Sequence, residues 1–249
     1  NADIARLVID HRWIVASSRS TGGGSTNVHA FELDDDMSMV AGSSVLVATD
    51  GNGGARVASG KVRALVVWGT ASSVMGRIFR GAPFEPMRDP LVVHALPQHS
   101  DSDPAVEPFR SGFVVAAVGG GSIRTRVVEP FATPPLVSGP VTVGRTGIVD
   151  RRPGIAPASE LGFYVVCWAT GPGIGGGFGM DEDGVSLQVV GADGSLWGAP
   201  LPLVGGLRNI GGVDCGWNGE EIVVIYWTAA VELPDTWRMF SQRVRPTFL

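Results

Sequence analysis

The chain has 249 residues, a formal net charge of −5, 36 glycines and 17 prolines. The acidic balance, with no basic stripe to offset it, argues against a nucleic-acid binder. No apolar run reaches the eighteen or so residues that a membrane-crossing helix needs, and glycine or proline interrupts every candidate helix.

What remains is a series of short strands in five degenerate repeats of about fifty residues. The blades are expected at about 1–50, 51–98, 99–148, 149–206 and 207–249 of a single domain. In the first repeat an inner strand near 5–9 is followed by strands at 13–18, 26–33 and 45–48. The second places them near 55–58, 64–70, 74–80 and 91–95, and Ala55-Arg56-Val57 repeats Ala5-Arg6-Leu7 at an offset of fifty. The third reads 105–107, 113–119, 123–129 and 141–144.

The fourth repeat is the clearest. A small-residue strand at 153–157 suits the crowded axis of a ring, and 163–170 is apolar throughout, as for a strand covered on both faces. An alternating strand at 185–190 and an outer one at 200–204 complete it. The fifth has strands at 212–215, 223–229 and 237–244, with little chain left for a fourth. Three second strands end alike, in Val67-Trp68-Gly69, Cys167-Trp168-Ala169 and Tyr226-Trp227-Thr228, and the tryptophans are expected as wedges between blades. A period of this length built only from strands predicts an all-β fold, a five-bladed β-propeller of four-stranded antiparallel blades. Closure is expected through side-chain packing between first and last blades, or through chain beyond Leu249. Asn1-Ala2-Asp3 offers no basic or apolar leader, which reads as a removed signal peptide or an excised domain.

Several motifs reduce to structure. Gly171-Pro-Gly173-Ile-Gly-Gly176 matches a dinucleotide-binding pattern, but the glycine-rich and acidic stretch at 177–184 cannot open the helix that a pyrophosphate requires. It is expected to be a hairpin loop, like 21–25 and 119–122. Asp34-Asp35-Asp36 and Asp181-Glu182-Asp183 lack the alternating spacing that wraps a calcium ion, and the four histidines form no ligand cluster. No metal or cofactor is expected. Cys167 and Cys215 lie in neighbouring repeats, either bridged or as two buried thiols.

The recurrent polar residues sit just before each inner strand: Asp3; Asp50 and Asn52; Asp101 and Asp103; Asp150, Arg151 and Arg152; Arg208 and Asn209. They read either as good turn formers or as a polar ring around the axial opening, able to hydrogen-bond a sugar or a polar peptide.

A Gly-Phe lead-in, an apolar strand ending in Trp and a third strand closed by Asp-Gly resemble degenerate propeller repeats of secreted or surface bacterial proteins. Gly191-Ala-Asp193-Gly194-Ser-Leu-Trp197 resembles the Asp-box hairpin of sialidase-type propellers, one position out of step, and the ring resembles tachylectin-type lectins in architecture. These shared motifs are structural and imply no activity; the expected function is a non-catalytic recognition module for glycan or protein on the loop face, secreted or at a bacterial surface, monomeric or part of a longer chain. The alternatives are a glycoside hydrolase using Asp3, Asp103 and Asp150 as axial acids, and a structural spacer.

Overall fold

The structure is a computed structural model that describes residues 2–7, 11–22, 25–81, 84–95, 104–145, 152–171, 183–207, 210–229 and 237–246. The first sheet contains β1 (Ala2–Leu7), β2 (Arg12–Gly22), β3 (Ser25–Leu33) and β4 (Val45–Gly51), paired in that order. The second contains β5 (Ala55–Ser59), β6 (Arg63–Gly69) and β7 (Ser73–Arg80), with β8 (Glu85–Pro86) and β9 (Leu91–Ala95) both on the outer edge of β7. The third repeats this plan with β10 (Ala105–Phe109), β11 (Gly112–Gly119), β12 (Ser122–Glu129), β13 (Leu136–Val137) and β14 (Val141–Arg145). The fourth has β15 (Gly154–Ala158), β16 (Phe163–Thr170), β17 (Asp183–Gly191) and β18 (Leu196–Leu207). The fifth has β19 (Ile210–Trp217), β20 (Ile222–Ala229) and β21 (Trp237–Val244).

All pairings are antiparallel, and β1 lies against β5, β5 against β10, β10 against β15 and β15 against β19. Five sheets therefore radiate from five inner strands, which makes the fold a five-bladed β-propeller. The blades are less uniform than four strands each. Pro90 and Pro140 stand immediately before β9 and β14. A proline has no N–H to give a ladder, so the outer edge is broken into two pieces there. The N-terminal strand is the inner strand of the first blade, pairing Ala5 with Ile14.

A separate apolar cluster fills each space between successive blades. Ile14 and Ala16 meet Val66, Trp68 and Phe79. Leu65 and Val67 meet Phe113 and Val115. Val114 and Ala116 meet Tyr164, Val166 and Trp168. Phe163 and Val165 meet Val213, Val224 and Tyr226. The second strands β11 and β16 are accordingly buried on both faces, the physical meaning of their unbroken apolar runs. The fifth blade differs. On β20 Val224 and Tyr226 are buried while the alternating Val223, Ile225 and Trp227 are not, and on its edge strand Trp237 is 53% and Met239 73% exposed. Among the described residues no buried apolar cluster joins the fifth blade to the first. The expected closure by side-chain packing is not built from them.

Of the three expected wedges, Trp68 and Trp168 are buried between blades. Trp227 is half-buried, and its indole lies over Gly211 and Gly212 of its own blade's inner strand. It fills the space their missing side chains leave.

His94 of β9 is buried, with Nε2 3.2 Å from the carbonyl of Val115 on the next blade. Burial lowers its pKa to about 4, helped by Arg126 and Arg124 and opposed by the bond to Val115. The neutral ring donates Nε2–H to that carbonyl. The unfolded chain binds this proton near 6.5 and the folded one only near 4, so the contribution of His94 is complete above pH 6.5 and is lost as pH falls through that window. Urea unfolding at pH 7 and pH 4 should show a loss for wild type exceeding that of His94→Gln by on the order of 2–3 kcal/mol. Parallel losses in the two proteins would show that His94 is solvated.

Candidate active site

The inner strands bring together residues far apart in the chain. Asp3 stands on β1, Glu107 on β10, Asp214 on β19, and Arg152 just ahead of β15. Asp3 Oδ2 accepts the backbone N–H of Val57 at 3.1 Å, which ties β1 to β5. Arg152 Nη2 donates to Asp214 Oδ2 at 3.1 Å, and Asp214 Oδ1 lies 2.9 Å from the N–H of Cys215.

Glu107 is placed differently. It shares the β10 face of Ala105 and Phe109, which pack toward the fourth blade. Its pKa is raised from 4.5 to about 7. Burial is the largest cause, followed by the charges of Asp214 and Asp3, while Arg152 opposes the shift. A carboxyl raised this far by burial and by neighbouring acids is a candidate general acid. Among the described residues no group of three His, Cys, Asp or Glu is placed to hold a metal ion.

The residues expected from sequence scatter around this cluster. Asp3 and Arg152 belong to it. Asp50 is exposed at the end of the outermost strand β4. Asn52 is half-buried between β4 and β5, and its backbone N–H donates to Gly69 at 2.7 Å. Asp101, Asp103, Asp150, Arg151, Arg208 and Asn209 lie outside the described residues, as does most of the glycine loop at 171–176. Glu107 and Asp214 are the additions. Each is an acid within an inner strand otherwise made of small or apolar residues, and that interruption is the signal which reveals them in the sequence.

Other acidic motifs have local work. Asp34 Oδ1 accepts the N–H groups of Asp36 and Ser38 at 3.1 and 2.8 Å, closing a turn. Asp183 is buried and accepts the N–H of Ile210 at 3.2 Å, joining the fourth and fifth blades. Asp193 accepts both the N–H and the hydroxyl of Ser195 at 2.9 and 2.6 Å, and Trp197 Nε1 donates to Ser195 Oγ at 3.2 Å. That hairpin is braced from within, as an Asp-box-like role requires.

No family model matches the chain. A Bos taurus radial spoke head protein 3 homolog is 32% identical over 108 residues, which is 41% of this chain and 17% of that protein. An exo-1,5-α-L-arabinanase from a bovine ruminal metagenomic library superposes over 97% of this chain and 91% of its own, with a TM-score of 0.50 and 11% identity. An α-L-arabinofuranosidase from Clostridium thermocellum covers 93% and 83%, with a TM-score of 0.47 and 12% identity. A Bacillus subtilis arabinanase covers 96% and 92%, at 0.46 and 10%. At such identities the likeness is one of fold, the five-bladed propeller. No helix among the described residues is long and apolar enough to cross a membrane.

Proposed function

We propose that the axial cluster is the active site of a glycoside hydrolase, with Glu107 as general acid and Asp214 as its carboxylate partner. The carrying observation is the Glu107 pKa of about 7 beside two carboxylates. Below that pH its proton is available to a departing glycosidic oxygen, while Asp214, oriented by its ion pair with Arg152, activates a water or attacks the sugar. Asp3 acts through Glu107, its charge helping to keep the acid protonated. The propeller's use in an exo-1,5-α-L-arabinanase makes furanose-containing polysaccharides the first substrates to try, by analogy of fold alone. A polymeric substrate also implies a secreted or surface location. Asn52, half-buried on the connection into β5, would lie on the rim of the site.

The test is release of reducing ends from a panel of arabinans, arabinoxylans and galactans. Turnover should fall as pH rises through about 7, when Glu107 loses its proton. Asp214→Asn should lower kcat by about a hundredfold or more. A panel that releases nothing removes the hydrolase reading. Retained glycan binding without turnover would leave the recognition module, which the ring of hydrogen-bonding side chains at the axis also suits.

A further inference from the structure

Cys167 lies on β16 of the fourth blade and Cys215 on β19, the inner strand of the fifth. Both thiols are free and buried in the same apolar cluster. Cys167 is near enough to Cys215 to affect its titration. Gly154 explains how they meet. It is the register partner of Cys167 on β15, and a Cβ there would stand 2.7 Å from Cys167 Sγ and 2.7 Å from the backbone nitrogen of Cys215. Only a residue without a side chain lets β19 come this close to the sulfur. Burial raises the Cys215 thiol, and the neighbouring Cys167 and Asp214 raise it further. Such a thiol is a poor nucleophile once folded.

We propose that Cys167 and Cys215 form a disulfide that staples the fifth blade to the fourth. With glutathione disulfide as oxidant, one cysteine thiolate attacks a glutathione sulfur and releases one glutathione thiol, leaving a mixed disulfide. The second cysteine thiolate then attacks the protein-bound sulfur and expels the other glutathione. Two protein thiols lose two electrons and two protons, and the oxidant gains both. The exchange belongs to folding, before β19 docks and buries the pair. The staple sits at a terminal blade, since among the described residues the fifth blade has one buried apolar interface where the second, third and fourth have two. It would also hold Asp214, the residue before Cys215, in place beside Arg152.

The full chain is unfolded in guanidinium and refolded in a reduced/oxidised glutathione buffer, then alkylated with iodoacetamide and mapped without reduction. The expected product is the Cys167 peptide joined to the Cys215 peptide, lighter by two hydrogens than the two thiol forms. Its Tm should exceed that of the dithiothreitol-treated protein by about 5–10 °C, and Cys167→Ala should make Tm indifferent to dithiothreitol. Two alkylated or two glutathionylated cysteines in the refolded wild type overturn the proposal, as does a wild-type Tm unchanged by reduction. The peptide map needs no variant, so it stands even if Cys167→Ala fails to fold, and it is independent of whether the axial site turns over any glycan.

Discussion

Replacing Glu107 by Gln is expected to make the protein more stable at pH 8 and far less active at every pH. In the unfolded chain the carboxyl ionises near its ordinary value of 4.5, and in the folded protein near 7. The folded state therefore holds a proton that the unfolded state has released, and stability falls as pH rises across that interval. Above pH 7 the cost is fully present, on the order of 3 kcal/mol at 1.36 kcal/mol per unit. Gln keeps the shape and hydrogen-bonding capacity without the charge. It should recover about 2 kcal/mol or more at pH 8 and almost nothing at pH 4, read from urea unfolding at the two pH values. The same change removes the proton that a leaving group needs, so kcat should drop by about 10²–10⁴-fold with KM little altered. Equal stability of the two proteins at pH 8 would place Glu107 in solvent and take the general acid with it.

The other large effect is expected at Trp168. Its indole is 3% exposed and packs on Gly144 of the preceding blade, where a Cβ would collide with the ring. Its Nε1 donates to the carbonyl of Arg145 at 3.2 Å. Trp168→Ala would remove the largest side chain from the interface between third and fourth blades and leave a void flanked by a glycine that cannot fill it. Losses for such changes run to about 3–5 kcal/mol, which in a chain of this size lowers Tm by roughly 10 °C or more. A loss under about 1 kcal/mol in denaturant would show that the interface closes without the indole.

The two variants probe parts of the molecule that were unequally visible in the amino-acid order. Trp168 stands at the end of an unbroken apolar run, and such a run is legible because only a strand covered on both faces tolerates it. The inner strands were legible for the same reason, through small residues such as those at 154–158. Asp3 and Arg152 could be found because one stands at the start of an inner strand and the other just ahead of one. Glu107 and Asp214 could not be found that way, since both lie within strands, where alternation assigns a side chain to one face of its own blade without saying what another blade brings opposite. Only the ring places Asp214 of the fifth blade near Glu107 of the third. The outer edges were hardest to read. The pieces β8 and β13 are two residues long, too short for any periodicity to register.

That no buried apolar cluster among the described residues joins the last blade to the first bears on how the molecule comes apart. A sealed ring must break two interfaces to free any one blade, whereas a row of five with four buried seams can open from its ends one seam at a time. Such a row behaves as a zipper, with its stability close to a sum over units and neighbouring contacts. Amide exchange should then be slowest in β6, β11 and β16 and fastest in β21, with the first blade also frayed relative to the centre. A ligand or another chain on the far face of β20 and β21, or the crosslink between Cys167 and Cys215 across the seam to the fourth blade, would slow the opening of the row from that end.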